Sequence, residues 1–478
     1  MGNADVKVRN PRTGEYDYEF APLDHAQVAH VVAKLRERQL AWVARSPDQR
    51  AEMLQTLAAA LMQHRESIAD ALTCDTGRRA ISAIEAEGAI RMVERWASIA
   101  PGIITRAQGE PRASATPGIE VRTRLVPYPL VGVISPWNFP LTLALIDAIP
   151  ALAAGCAVVV KPSEVTPRFI RPLAEALAAV PDVPLAIIEG DGATGVVLVP
   201  EVDFVAFTGS VATGRKVAAA AASAMIPASL ELGGKDPMIV LASADPAWAA
   251  AVALRASVVN TGQACQSIER VYVARAIAEP FLAALVASAE KVRLNAEDLG
   301  AGEIGPFIFD KQAAIVGAQI DDAVAHGARV LTGGRVEAIG GGLYLRPTVL
   351  TDVTSDMGVM REETFGPVIP VTIFDTEREA VTLANAGEFG LSAAVLAGSA
   401  EEAEAVAVRL TAGAVSINDG ALTSIVWDAE KSSFGTSGLG PSRMGEIGLL
   451  RFFRRQALLR QTGQALPLAA YAEDAKRG

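Results

Sequence analysis

Val131-Gly-Val-Ile-Ser135 runs into Pro136-Trp-Asn-Phe-Pro140, and Ala157-Val-Val-Val160 runs into Lys161-Pro-Ser-Glu164; this is the stretch on which the fold turns. Each apolar run is too short for a helix and rich in β-branched residues, and the segment between them is long enough for one helix. Strand, helix and strand in that order place the two strands parallel, with the helix covering one face. The pattern repeats through Leu185-Ala-Ile-Ile188, Phe204-Val-Ala-Phe207 and Ala228-Ser-Leu-Glu231, so an α/β fold with a parallel sheet is expected. Between Leu125 and Val160 the only charged residue is Asp147. Pro127, Pro129, Pro136, Pro140, Pro150 and Gly155 nevertheless cut this run below the roughly 20 residues of a membrane helix.

Ligands of such sheets bind beyond the carboxyl ends of the strands. The residues found there are Trp137 and Asn138, Lys161 and Glu164, Gly190-Asp-Gly192, Thr208-Gly-Ser210 and Glu231. Gly190 to Gly195 matches G-x-G-x-x-G, but Thr213, Gly214 and Arg215 stand where a ribose-binding acid would follow, and a strand-to-helix turn explains the glycines equally well. Lys161 with Glu164 is the better pair for a cofactor.

A second alternating region begins near Pro237-Met-Ile-Val-Leu241, with a helix from about Pro246 to Val259 capped by Asp245. Further strands are expected at Arg270 to Ala274, Ala328 to Thr332, Val368 to Phe374, Ser392 to Ala397 and Ala414 to Ile417, and a helix at Ile277 to Val292. This half carries Asn260-Thr-Gly-Gln-Ala-Cys265 and Glu363-Thr-Phe-Gly-Pro367. Ahead of both halves, the first 110 residues read as helical after an irregular start, with Ser46-Pro-Asp-Gln49 opening a helix that runs through Met62. Ile119 to Leu130 alternates as a half-exposed strand and suits an edge or an inter-subunit arm.

Glu231 and Cys265, 34 residues apart, are the chemical candidates. A thiolate can attack an electrophilic carbon, and a carboxylate can activate the water that cleaves the adduct. A buried thiol and a surface glutamate are the plain alternative. The net charge of -11 argues against nucleic acid and anionic membranes. Cys74, Cys156 and Cys265 are too scattered for a disulfide framework and fit a reducing cytoplasm, while His25, His30, His64 and His326 form no metal constellation. No export signal or lipid anchor is read at the amino terminus.

Pro136-Trp-Asn-Phe-Pro140, Lys161-Pro-Ser-Glu164, Phe207-Thr-Gly-Ser210, Glu231-Leu-Gly-Gly-Lys235, Gly262-Gln-Ala-Cys265 and Glu363-Thr-Phe-Gly-Pro367 together resemble, in order and spacing, the aldehyde dehydrogenase superfamily. The resemblance implies a Rossmann-type NAD-binding domain (1–111 and 129–233), an α/β catalytic domain (234–433) and a small β bridging element (112–128 and 434–478) that assembles homodimers or homotetramers. It implies that Cys265 is the nucleophile, Glu231 the base for hydrolysis and Asn138 an oxyanion donor. Lys161, Glu164, Ser210, Glu363, Trp137, Phe365 and Gln312 match cofactor contacts. NAD is expected ahead of NADP, because the Glu164 carboxylate repels an added ribose phosphate. CoA-acylating chemistry and a non-redox cysteine hydrolase are the alternatives.

Phe139, Leu143, Ile146, Ala264, Gln266, Trp427 and Phe434 are candidates for the substrate tunnel. Their apolar character favours an uncharged aldehyde unless Arg270 or Arg443 points inward. Three departures from the family pattern stand out: Ser433-Phe-Gly-Thr436 for Pro-Phe-Gly-Gly, Pro441-Ser442 for Arg-Glu, and Asp147 where many members carry lysine.

Overall fold

The computed structural model describes residues 5–473. All five strands expected in the first half form, as Leu130–Ile134, Ala157–Lys161, Leu185–Ile187, Phe204–Thr208 and Ala228–Glu231, and all run parallel. Numbered along the chain, they lie in the spatial order 3-2-1-4-5, with the short strand Gly438–Leu439 added antiparallel beyond Ala228–Glu231. The order reverses between Leu130–Ile134 and Phe204–Thr208. That switch point leaves a crevice at the carboxyl ends of these strands, where Trp137, Asn138 and Ser210 follow.

The near-continuous apolar character of these strands has a direct cause, since both faces are covered. Val131, Val133, Val158 and Val160 pack with the helices Pro47–Gln63, Arg79–Gln108 and Pro140–Ala154. Leu130, Ile134, Ala157 and Val159 pack on the other face, with His25–Ala44 and Val211–Ser223. Among the described residues no helix is long and apolar enough to cross a membrane.

A second sheet of seven strands takes the order Arg329–Thr332, Thr348–Thr351, Val368–Phe374, Ile268–Ala274, Asp236–Val240, Ser392–Leu396, Ala414–Ile417. Only its first pair is antiparallel. It has its own core, in which Val271, Val273, Ile239, Val371 and Val395 meet Phe281 and Leu285 of the helix Ala278–Ala289.

Three expectations need adjustment. The amino terminus is a hairpin of Val6–Arg9 with Tyr16–Phe20 rather than irregular, closed by Gly14 at φ 75°. Thr348–Thr351 is a strand that four residues after Pro347 did not announce. Ile119–Pro127 is no edge: it is the centre of a three-stranded sheet, paired along its whole length with Phe453–Gln461 and on its other side with Arg112–Ala113.

Candidate active site

The cysteine loop is held in an unusual backbone conformation. Asn260, Thr261 and Gly262 follow the helix Pro246–Val258 with φ of 60°, 59° and 68°. A β-branched threonine in the left-handed region is a real outlier, and such strain persists only where the surroundings impose it. They do so here. A Cβ on Gly262 would lie 2.3 Å from the backbone of Gly366, so the loop is seated on Glu363-Thr-Phe-Gly-Pro367 with no room to spare. Gln263, fully buried, donates to Asn260 O and accepts from Ile308 N.

Asn138 joins this loop from the other sheet. Its side-chain amide donates to Gln263 O at 3.0 Å, and its own carbonyl accepts from Asn260 Nδ2 at 3.2 Å and from Arg78 Nη2 at 3.2 Å. Asn138 and Cys265 are thereby fixed relative to each other across the crevice. Burial pushes the Cys265 thiol up to about 12, with the Lys431 ammonium pulling the other way. The resting thiol is therefore neutral, and attack requires a proton to be taken from it.

Gly233 owes its identity to Glu363, and Gly234 to Asp236 and the Cys265 carbonyl, which a Cβ there would meet at 2.7 and 2.8 Å. A Cβ on Gly233 would meet the Glu363 carboxylate at 2.6 Å, and Gly234 N donates to it at 3.2 Å. Burial, and then the nearby charge of Glu269, push the Glu363 carboxyl up to about 8. Glu269 itself escaped the sequence reading. Almost wholly buried, it accepts from Lys235 Nζ at 2.7 Å and from the backbone N–H groups of Thr364 and Phe365 at 2.8 Å each, which clamps the Glu363 loop to the sheet. Gln312 is a second clamp, donating to Thr364 O at 2.7 Å. Phe365, at φ 54°, meets Trp137 edge-on with ring centroids 5.4 Å apart.

Along the rim of the first sheet, Lys161 Nζ is buried and donates to Pro162 O and Gly190 O, with Glu164 3.6 Å away and much more open to solvent. Ser210 caps the helix Val211–Ser223 and is exposed, so the positive end of that helix faces the crevice. Asp191 caps its own short helix, Gly192–Leu198. Gly190 to Gly195 is thus a strand-to-helix turn.

Glu231 ends the fifth strand, where it pairs with Gly438. Its Oε2 accepts from Ser433 Oγ at 3.1 Å, and its Oε1 faces Arg443 Nε at 3.9 Å. Two of the departures from the family pattern, Ser433 and Asp147, meet at this point through Glu231 and Arg443. Arg443 donates from Nη2 to Asp147 Oδ2 at 3.1 Å and to Thr208 Oγ1 at 2.5 Å; Arg451 also pairs with Asp147 and donates to Ser229 Oγ at 2.7 Å. Burial works against the charge of Asp147, but the two guanidinium groups outweigh it and hold the carboxyl below its usual range. Ser442 Oγ accepts from Met444 N in its own turn and from Lys431 N, which ties that turn to the Lys431 segment, both at 3.0 Å. Thr436 bonds to Glu388 O.

Of the tunnel candidates, Leu143 and Ile146 are buried in one core cluster, and Phe139 and Trp427 pack against it. Phe434 stands apart and half exposed, its backbone paired with Phe389–Gly390. Arg270 is spent on the carbonyls of Lys235, Leu383, Ala384 and Ala386. Arg443 does point inward, toward Glu231. Three cations stand beside the tunnel candidates: Arg78 lies over the Phe139 ring at 5.8 Å, Arg95 donates to Trp427 O at 3.2 Å, and Lys431 Nζ comes within 2.5 Å of Gln266 once that amide is turned so that its oxygen faces the ammonium and its nitrogen faces Thr423.

Residues 1–458 match the aldehyde dehydrogenase family. The chain belongs to that family. It is an NAD(P)-dependent aldehyde dehydrogenase. The solved structure of PutA from Anabaena variabilis superposes with a TM-score of 0.95 at 50% identity, over 97% of this chain and 99% of that one. The NAD+ complex of betaine aldehyde dehydrogenase from Staphylococcus aureus gives 0.90 at 31%, over 97% and 93%. Among curated sequences, "Putative succinate-semialdehyde dehydrogenase [NADP(+)]" of Mycolicibacterium smegmatis is 38% identical over 441 residues, 90% of this aldehyde dehydrogenase and 84% of its relative. The residues present suit a dinucleotide: the crevice lies at a topological switch point, a capped helix start faces it, and the Lys161–Glu164 pair ends the adjacent strand.

Proposed function

We propose that this enzyme converts its aldehyde to the carboxylic acid through a thioester on Cys265. The observation that carries the reading is the hydrogen bond from the Asn138 amide to Gln263 O, which ties an oxyanion donor to the nucleophile's own loop. The Cys265 thiol gives its proton to solvent water as Sγ bonds to the carbonyl carbon; the oxygen gains negative charge, and the Asn138 amide and the Cys265 backbone N–H are assigned as its donors, each such donor contributing about 3 kcal/mol in comparable sites. Reformation of the carbonyl expels a hydride and leaves the thioester. Glu231 then takes a proton from water as its oxygen bonds to the acyl carbon, the C–S bond breaks, and the thiolate is regenerated. Bound cofactor supplies the hydride acceptor. Lys161 and Glu164 are assigned to its adenosine ribose, Ser210 to the pyrophosphate, Glu363 to the nicotinamide ribose, and Trp137 and Phe365 to the surrounding wall. Gln312 acts through the Glu363 loop. The exposed Glu164 carboxylate supports NAD ahead of NADP.

The same reading assigns the first sheet with its helices to cofactor binding, the second to catalysis, and the three-stranded sheet to assembly of homodimers or homotetramers. Leu458 and Leu459, exposed on the strand Phe453–Gln461, support that last assignment. Scattered free cysteines support a cytoplasmic setting.

Lys431 bears on the substrate. A cation held at Gln266, next to the nucleophile, favours an aldehyde whose tail ends in a carboxylate over one ending in a quaternary ammonium, which reverses the preference drawn from the apolar tunnel residues. The test is a panel of carboxylated, uncharged and cationic aldehydes read by NADH absorbance, with acid and acyl-CoA products separated. Lys431→Met is expected to raise KM for the carboxylated aldehydes several-fold and leave uncharged ones unchanged. Acyl-CoA as the product would support the CoA-acylating alternative, and ester cleavage without NADH formation the hydrolase.

A further inference from the structure

The carboxylate of Glu231 lies in a buried group of charges that balances two against two. Asp147 and Glu231 are the acids, Arg443 and Arg451 the bases, and Arg443 stands between the two acids. Its guanidinium is divided. Nη2 is bound to Asp147 and Thr208, while Nε is buried, has no hydrogen-bond partner, and is turned toward Glu231 Oε1 at 3.9 Å. That separation exceeds a hydrogen bond but lies within ion-pair range, so a movement of about 1 Å would close it. On its other oxygen Glu231 accepts from Ser433, and Leu232 N donates to Ser437 O, so the segment 433–443 wraps the base on several sides.

We propose that Arg443, pinned by Asp147 and Thr208, is the positioning residue that holds Glu231 in place for deacylation. The inference rests on the reading of Glu231 as the base for thioester hydrolysis. Where many family members have lysine, this chain has Asp147, and its partner here is Arg443. The substitution changes what the buried group can do. An ammonium can give up its proton and pass it on; a guanidinium keeps its charge and cannot. Asp147, held as a carboxylate by two arginines, cannot take one either. The cluster therefore works as a fixed clamp with no proton route through it, and the proton that Glu231 takes from water leaves on the Ser433 side. One oxygen of Glu231 is anchored by the charge of Arg443 while the other exchanges Ser433 for the attacking water.

The experiment uses 4-nitrophenyl acetate without cofactor, so that Cys265 is acylated by the ester, nitrophenolate leaves, and only hydrolysis of the acyl-enzyme follows. Arg443→Met is the central variant, because Asp147 keeps Arg451 as a partner and the fold retains a paired charge. Nitrophenolate release should show a burst of unchanged amplitude, followed by a steady phase slowed about tenfold, a fraction of the 10²–10⁴ that a positioned base contributes. Intact mass should show acetyl-enzyme accumulating. Arg443→Lys should recover part of the rate, since it restores the charge without the fork that reaches Asp147 and Glu231 together. An unchanged steady phase in Arg443→Met, or burst amplitude and steady phase falling together, would overturn the proposal. Glu231→Gln run in parallel separates the two readings: if it too fails to accumulate acetyl-enzyme, the base assignment is what fails.

Discussion

The two ends of the reaction are built differently. The bond-making side, Asn138 with Cys265, is a set of short backbone and amide contacts between neighbouring loops, seated against Gly366. The releasing side, Glu231 with Ser433 and Arg443, depends on charges that come from sequence positions 147, 231, 443 and 451 and meet only in the fold. The first has almost no freedom, and its residues all fall within recognisable motifs. The second sits where the chain leaves the family pattern. Attack on the aldehyde is thus prescribed locally and release of the acid at long range, so sequence change can retune the release step without disturbing the attack.

Three substitutions test this contrast. Asn138→Ala should lower kcat about 10²- to 10³-fold by removing the oxyanion donor. The burst should disappear along with turnover, because acylation becomes the slow step; a variant that still shows a burst would place Asn138 on the releasing side. Glu269→Gln should act through structure. Breaking the buried pair with Lys235 costs about 3–5 kcal/mol, so thermal unfolding should move to clearly lower temperature and KM for the cofactor should rise as the Glu363 loop loosens. Unaltered cofactor binding would mean that Gln312 alone suffices to hold that loop.

The last substitution, Glu363→Gln, bears on pH dependence. Burial raises the Glu363 carboxyl from the ordinary 4.5 to about 8 in the folded chain. A raised acid contributes stability that is complete below the unfolded value and is lost as pH climbs through the folded one. Wild type should therefore lose stability relative to Glu363→Gln between about pH 4.5 and pH 8, with no further divergence above. Melting temperatures of both proteins across that window check it, and parallel curves would contradict it.

Much of the architecture was legible. Val131 to Val160 showed its strands because burial on both faces demands uninterrupted apolar runs. The motifs supplied Cys265, Glu231 and Asn138 as candidates, and the structure brings Asn138 against the cysteine loop and Glu231 to the rim. Strand order was not legible, since nothing local says that Phe204–Thr208 returns to lie beside Leu130–Ile134. Glu269 escaped because a glutamate in an apolar strand is understood only once Lys235 and the N–H groups of Thr364 and Phe365 are seen to need it. Arg443 was noted but could not be given a role, because its partner Asp147 lies 296 residues away. The amino-terminal hairpin was a different kind of miss. Val6-Lys-Val-Arg9 and Tyr16-Asp-Tyr-Glu-Phe20 alternate around Gly14, and that signal was present in the residues.

The central claim is that Cys265 makes the acyl bond and Glu231 chiefly governs its release. It is tested most directly by mixing Glu231→Gln with NAD+ and an aldehyde from the panel, then following NADH and intact mass together, with Cys265→Ala as the blank. The account predicts one NADH per active site, a near halt, and an acyl adduct on Cys265 that persists. Normal turnover at neutral pH with no adduct would contradict it.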